Sequence, residues 1–348
     1  MSNTLNIEGY SMSVPTDRMI VAGISGGRTS AMMAALLPES AILCFENTGR
    51  EHPKTYEFLR NLDEALGGRI VWLEYVAPQY GERPGALSFK QVDYWTADRT
   101  GKPFSDFMEA MAAYRHVQKG LGPVAPWARM RLCTAYMKAR VQDAYIRSLG
   151  LGDHYTAVGL RSDEPNRVSR LMLQSTKHNK MLCPLSDAGL NKKAVLDFWT
   201  KQSFDLDLQE YQGNCTGCFL KDQSDLSRAM MEDDTDPEWW IAMESKYQLF
   251  GGRDFVGYAA LRREGPLRLS IEAAHMAGAQ PLNDGSVDDR RFKALVIQER
   301  RRAKNQRSAF SCNCEGSATI AGLDEDGEEQ LLLFSIAEQS GVIGEVAL

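Results

Sequence analysis

Serines and glycines, arginines, and cysteines are the residues of this chain whose spacing could do chemistry. The run SGGRTS, residues 25–30, lies between an apolar strand-like stretch and a helix-like one. Gly26 and Gly27 let the backbone turn tightly and present bare amides. The helix that follows adds unpaired N–H groups and the positive end of its dipole. Ser25, Thr29 and Ser30, with Arg28 among them, add donors. Together they predict an anion site, for phosphate or sulfate. The spacing fits neither the dinucleotide-binding G-x-G-x-x-G nor the Walker G-x-x-x-x-G-K-[ST]. A plain glycine-rich turn is the simpler alternative.

Arg161, Arg167 and Arg170 follow another apolar stretch, and guanidinium forks suit phosphate or sulfate. Asp163 and Glu164 could orient those arginines or hold a magnesium ion. Thr48 and Gly49 end a second strand, which brings them beside residues 25–30 at one sheet edge. Lys138 lies one helical turn beyond Thr134 and could reach an anion near that helix's start. Cys215-x-x-Cys218, in NCTGC, is a metal signal with redox and structural uses competing. Cys44 sits in an apolar run and reads as core. His52 could touch a ligand, whereas His116, His154, His178 and His275 show no metal-ligand pairing. For Arg170 and for Lys138, a solvated surface position is the plain alternative.

These residues need a scaffold, and the pattern supplies one. From about residue 18 to 202, strand-like runs (RMIVAGI, SAILCFE, RIVWLEY, HYTAVGL) alternate with helix-like ones (TSAMMAALL, PKTYEFLRNLDEALG, CTAYMKARVQDAYIRSLG). Such alternation predicts an α/β fold with a mostly parallel sheet covered on both faces. Residues 18–225 are expected to form the α/β domain that carries the anion site, 226–300 a smaller helix-rich lobe, and 301–348 a tail. In the lobe, Asp236 and Pro237 start a helix, and Trp239 and Trp240 pack it. The run QERRRAKNQR could contact nucleic-acid phosphates, or be a solvated face. Composition is that of a globular protein, 43% apolar and 25% charged, and a net charge of −6 excludes a global basic field. With no signal-length or membrane-length apolar run, a cytoplasmic location and no membrane partner are expected. There the seven cysteines would stay reduced.

Four stretches also carry a resemblance to a known family. SGGRTS resembles the PP-loop of the adenine nucleotide alpha hydrolase-like superfamily, which includes phosphoadenosine-phosphosulfate (PAPS) reductases. FENTGREHPKTYEFL resembles that family's [DN]-T-G signature, adding Asn47 to Thr48 and Gly49. RLCTAYMKAR resembles its tandem-cysteine helix, and VGLRSDEPNRVSR its G-[IL]-R-x-[DE]-E segment. The four occur in family order over roughly residues 20–220. The resemblance implies a five-stranded α/β fold that binds an adenosine nucleotide, ATP or PAPS, for sulfur chemistry. Residues 25–30, Asn47, Thr48, Gly49 and Arg167 would bind it, and Lys138 and Arg161 would be catalytic. It also implies a [4Fe–4S] cluster on Cys133, Cys215 and Cys218. Thr134 stands where a fourth cysteine would be, so Cys183, then Cys312 or Cys314, are candidates for the fourth ligand. Zinc on Cys215, Cys218, Cys312 and Cys314, or no metal, are the alternatives. The Glu-Cys-Gly-x-His tail of true reductases is missing. The expected partners are a nucleotide substrate, a thiol or sulfur-donor protein and a nucleic-acid acceptor. ATP-driven sulfur transfer and a non-catalytic nucleotide-binding role stand beside reduction, and an oligomer is compatible with all three.

Overall fold

The computed structural model describes residues 5–84, 88–126, 131–247, 250 and 255–266. The chain opens with β1 (Met19–Gly23), α1 (Arg28–Leu36), β2 (Ile42–Asn47), α2 (Pro53–Ala65) and β3 (Ile70–Tyr75). Next come β4 (Phe89–Val92), α3 (Lys102–Lys119), a π-helical segment (Cys133–Ala139) running into α4 (Arg140–Ser148), and β5 (His154–Ala157). Then follow α5 (Pro165–Met172), β6 (Asn179–Leu182), α6 (Pro184–Asp187), α7 (Lys192–Trp199), α8 (Gln223–Ala229) and α9 (Pro237–Tyr247). Residues 258–266 are helical.

The sheet has the order β4-β3-β2-β1-β5-β6. β1, β2, β3, β5 and β6 pair in parallel, and β4 joins β3 antiparallel at the edge. The expected five-stranded sheet is therefore six-stranded. The sixth strand, FKQV, is short, and its two middle residues, Lys90 and Gln91, are polar and exposed. It pairs through backbone hydrogen bonds that leave no apolar pattern in the sequence.

Strand side chains alternate between two cores, as a doubly covered sheet requires. Ile20, Ala22, Leu43 and Phe45 face Met32, Met33, Phe58, Leu59, Phe198 and Trp199, from α1, α2 and α7. Val21, Cys44, Leu73 and Tyr75 face Phe107, Met108, Met137, Leu226, Trp240 and Tyr258. The second set includes residues beyond 225, so the described part of the expected helical lobe shares a core with the sheet. Trp240 is 1% exposed there, and its truncation to alanine would cost roughly 3–5 kcal/mol. The remainder of that lobe, the tail, QERRRAKNQR and His275 lie outside the described residues. Among the described residues no helix is long and apolar enough to cross a membrane.

The order of strands fixes where a ligand can sit. From β1 the chain steps outward through β2 and β3, then returns to place β5 on the other side of β1. In such sheets the crevice opens beyond the carboxyl ends of the strands at this switch point. The segments leaving β1 and β5 are residues 24–27 and 158–164.

Candidate functional site

β1 ends in a turn that delivers the start of α1 uncapped. Gly26 has φ +79°, and a Cβ there would sit 2.4 Å from Thr55 Cγ2. Gly27 takes the N-cap position, with no side-chain cap. The first helical bond runs from Ala31 N to Gly27 O at 3.0 Å. The amides of Arg28, Thr29 and Ser30 therefore precede the helix's hydrogen-bonded ladder. Ser25 and Ser30 shape the turn themselves. Their hydroxyls lie 3.0 Å apart, and the Ser30 hydroxyl also donates to Gly27 O at 3.1 Å. Arg28 differs from the expectation of a ligand cation. Its guanidinium donates to both carboxylate oxygens of Asp205, at 2.7 and 2.9 Å, and to Leu206 O. Only its backbone remains at the turn.

From the other side of the crevice, the segment after β5 presses against the same helix start. A Cβ on Gly159 would lie 2.9 Å from Ser30 Cα. This close approach gives Gly159 a role that its place in the sequence does not announce. Two residues on, Arg161 is 6% exposed. Its Nε donates to Asp163 Oδ1 at 3.0 Å, its Nη2 lies 3.4 Å from Glu164 Oε2, and its Nη1 is 3.5 Å from Thr29 Oγ1. Arg167 pairs with Glu164 as well. Asp163 and Glu164 thus orient arginines, the first of the two roles expected for them. Arg170 is exposed.

The loop after β2 closes on itself. Asn47, fully buried, donates to Glu74 Oε1 and Asp98 O, each at 2.8 Å, and accepts from Gly49 N and Tyr56 Oη. Thr48 donates through its backbone and hydroxyl to Glu51, at 3.1 and 2.8 Å. Gly49 has φ +77°, and a Cβ there would meet Asp98 Oδ1 at 2.6 Å and Gly101 Cα at 2.9 Å. Its close approach is to the chain's own loop. The side chains of Asn47 and Thr48, expected to bind a nucleotide, are engaged in bonds within the protein that build this loop. His52 Nδ1 caps α2 by accepting from Lys54 N at 3.2 Å. Its Nε2 is buried without a hydrogen bond. Burial holds the His52 pKa below its ordinary value.

Alongside this loop runs the Cys-x-x-Cys segment. His52 N donates to Asn214 O at 2.7 Å and Thr216 N to Arg50 O at 3.0 Å. Asn214 Nδ2 donates to Ser25 O at 3.0 Å, which ties the cysteine turn to the turn after β1. Gly217 lies against Trp240, where a Cβ would come within 2.2 Å of the indole, and Tyr258 Oη donates to Gly217 O at 2.6 Å. Cys133 and Cys218 both lie within electrostatic reach of Cys215. Burial pushes the Cys215 thiol up, and the neighbouring Cys218, Glu51 and Cys133 push it further, against the pull of Lys138. Burial also raises Cys133, opposed by Lys138 and by hydrogen bonds from the Thr134 amide and hydroxyl. The π-helical widening at Cys133–Ala139 is of a kind often found at functional sites.

A metal needs more than proximity. Among the described residues no three His, Cys, Asp or Glu side chains are arranged to hold a metal ion. Thr134 uses its hydroxyl on Cys133. Cys183, expected to supply a fourth thiolate, belongs to a different apolar cluster with Val158, Leu160, Leu171 and Met181. Burial there, reinforced by Asp187, pushes its thiol to about 12. It follows β6, which two strands, β1 and β5, separate from β2. Cys312 and Cys314 lie outside the described residues. The described donor set therefore does not fit a [4Fe–4S] cluster or a zinc ion by itself.

Two acids complete the neighbourhood. Glu51 Oε1 lies 3.9 Å from Lys138 Nζ. Glu46 is 3% exposed, and its Oε1 has no hydrogen-bond partner. Burial pushes its carboxyl up to about 8, against the pull of Lys138. The sequence carried one signal for it, an acidic residue inside the apolar run SAILCFE.

No family model matches this chain, and no solved structure matches it. It is similar to the Uncharacterized nin region protein ORF290 of Escherichia phage lambda, at 28% identity over 222 residues. That alignment covers 62% of this chain and 70% of the phage protein.

Proposed function

We propose that this chain is a PP-loop-type enzyme of sulfur chemistry. It binds the phosphates or sulfate of an adenosine nucleotide, ATP or PAPS, at the start of α1. One observation carries the reading: an uncapped helix start, at the switch between β1 and β5, with the buried Arg161 guanidinium 3.5 Å from Thr29. Amides and a fixed guanidinium around an enclosed crevice are what an anion requires. Asp163 and Glu164 hold Arg161 in place and offset part of its charge. Its contribution is therefore geometric as much as electrostatic, with the amides of Arg28, Thr29 and Ser30 supplying the uncompensated donors.

Lys138 would act from the other wall, where it faces Glu51 and stabilises negative charge developing near the thiols. The thiol or sulfur donor and the acceptor, a nucleic acid or a small molecule, are read from the products. Incubation of the protein with ATP and with PAPS plus a dithiol separates the routes. Pyrophosphate from ATP indicates activation for sulfur transfer, and sulfite from PAPS indicates reduction. Tight binding with neither product indicates a non-catalytic nucleotide-binding protein. Failure to bind either nucleotide contradicts the proposal.

A further inference from the structure

The loop between β4 and α3 holds an indole out in solvent on a rigid support. Trp95 is 77% exposed, although tryptophan gains more from burial than almost any residue. Its loop is fixed from within. Asp93 Oδ1 accepts from Trp95 N at 2.9 Å, Thr96 N at 2.8 Å and Thr96 Oγ1 at 2.7 Å. The indole stands edge-on to Tyr94 at 4.9 Å, and Tyr94 stands edge-on to the buried Trp72 at 6.3 Å. An aromatic column thus runs from the core to the surface. Arg60 and Arg99 lie over the Tyr94 ring at 5.0 and 4.6 Å. Arg99 also lies 4.8 Å from the Tyr56 ring, whose hydroxyl donates to Glu51. The platform therefore adjoins the wall of the crevice.

We propose that Trp95, with Arg60 and Arg99 over the adjoining Tyr94 ring, is a stacking platform for single-stranded nucleic acid. Every base offers a flat π-face to an exposed indole, and guanidinium groups beside it take the phosphates. Tryptophan and arginine also anchor protein interfaces, but there they sit within an apolar surround that excludes water. The other exposed residues of its loop, Asp93, Thr96, Arg99 and Thr100, are polar or charged, so no apolar surround encloses the indole within the loop. An exposed ring on a polar loop with guanidinium groups at its base fits a nucleobase better than an apolar protein surface. The net charge of −6 makes the binding weak and sensitive to salt. This inference is independent of the nucleotide reading, since it uses nothing from residues 25–30.

Fluorescence anisotropy on the full chain tests it, with fluorescein-labelled oligo-dT, oligo-U and a duplex of equal length. Both single strands are expected to bind at low salt, and the duplex at least about tenfold more weakly. Trp95→Ala should weaken single-strand binding about tenfold without changing Tm, and Trp95→Phe should retain most of it. Arg99→Gln should lower the slope of log K against log salt by roughly 0.7. Tighter binding of oligo-U or of oligo-dT assigns the platform to RNA or to DNA. No binding, equal affinity for the duplex, or wild-type affinity in Trp95→Ala overturns the proposal.

Discussion

The loops after β1 and β2 occupy equivalent places at neighbouring strand ends, yet they treat their helix starts in opposite ways. Each contains a glycine with positive φ, Gly26 or Gly49, and each leads directly into a helix. After β2, His52 caps α2, and Asn47, Thr48 and Glu51 bond to one another or to neighbouring loops. After β1, no side chain caps α1, and the Arg28 guanidinium is drawn away to Asp205. A buried helix start without a cap is costly unless something else meets its amides. The comparison teaches that two similar glycine turns can divide the work. One closes into a wall, and the other leaves its helix start without a side-chain cap, where we propose an anion sits.

The glycines should give the largest effects. Gly26→Ala and Gly49→Ala each force a side chain into positive φ and into a contact closer than 3 Å. Each should cost about 3 kcal/mol in urea denaturation. Only Gly26→Ala should also abolish ATP binding when measured below its own Tm. Equal loss of binding in Gly49→Ala would place the ligand on both loops and break the division.

Arg50→Ala comes next. Its guanidinium donates to Asp236 and to Thr235 O, both at 3.0 Å, and lies 4.5 Å from the Trp239 ring. It fastens the wall to the residues before α9. The variant should lose about 2 kcal/mol of stability, with ATP affinity unchanged. A drop in affinity at constant stability would move Arg50 into the binding site.

Glu46 gives a pH-dependent effect. Its folded pKa of about 8 is above the ordinary 4.5, so between these values the folded state holds a proton that the unfolded state has released. Stability then falls as pH rises through that window, by on the order of 1 kcal/mol per pH unit. Glu46→Gln should flatten this slope and be the more stable protein at pH 8, as read from Tm against pH. An unchanged slope would mean that another group carries it.

His52→Ala should be the mildest, losing about 1 kcal/mol with the α2 cap at pH 8. Because the folded His52 resists protonation, the wild type itself loses stability as pH falls below about 6.5. The gap between the two proteins should therefore narrow in acid, and a widening gap would contradict the burial of neutral His52.

The sequence made the parallel strands and the turn after β1 readable, because buried strands are apolar runs and a glycine pair marks a tight junction. β4 was not readable, since an edge strand of exposed residues is defined by its partner β3 and not by its own pattern. Helix α3 was not among the expected elements, although Phe104, Phe107, Met108 and Met111 carry its period. Within the site, residue type proved easier to read than partnership. Arg28 is an arginine beside a glycine-rich turn, and nothing nearby in sequence announces that Asp205 claims it. Cys183 is a cysteine after a strand, but its strand is β6, on the far side of β1 from the other thiols. Arg161 could be anticipated because its positioning acids, Asp163 and Glu164, are local.

The central claim, that the open start of α1 and Arg161 seat a nucleotide's anionic group, meets its most direct test in calorimetry. ATP, PAPS and adenosine are titrated into the wild type and Arg161→Ala. The wild type should bind a phosphorylated ligand more tightly than adenosine. The variant should lose about tenfold or more for that ligand and little for adenosine, as removal of a charge-assisted contact requires. No nucleotide binding by the wild type, or an equal loss for adenosine and ATP in the variant, would contradict the account.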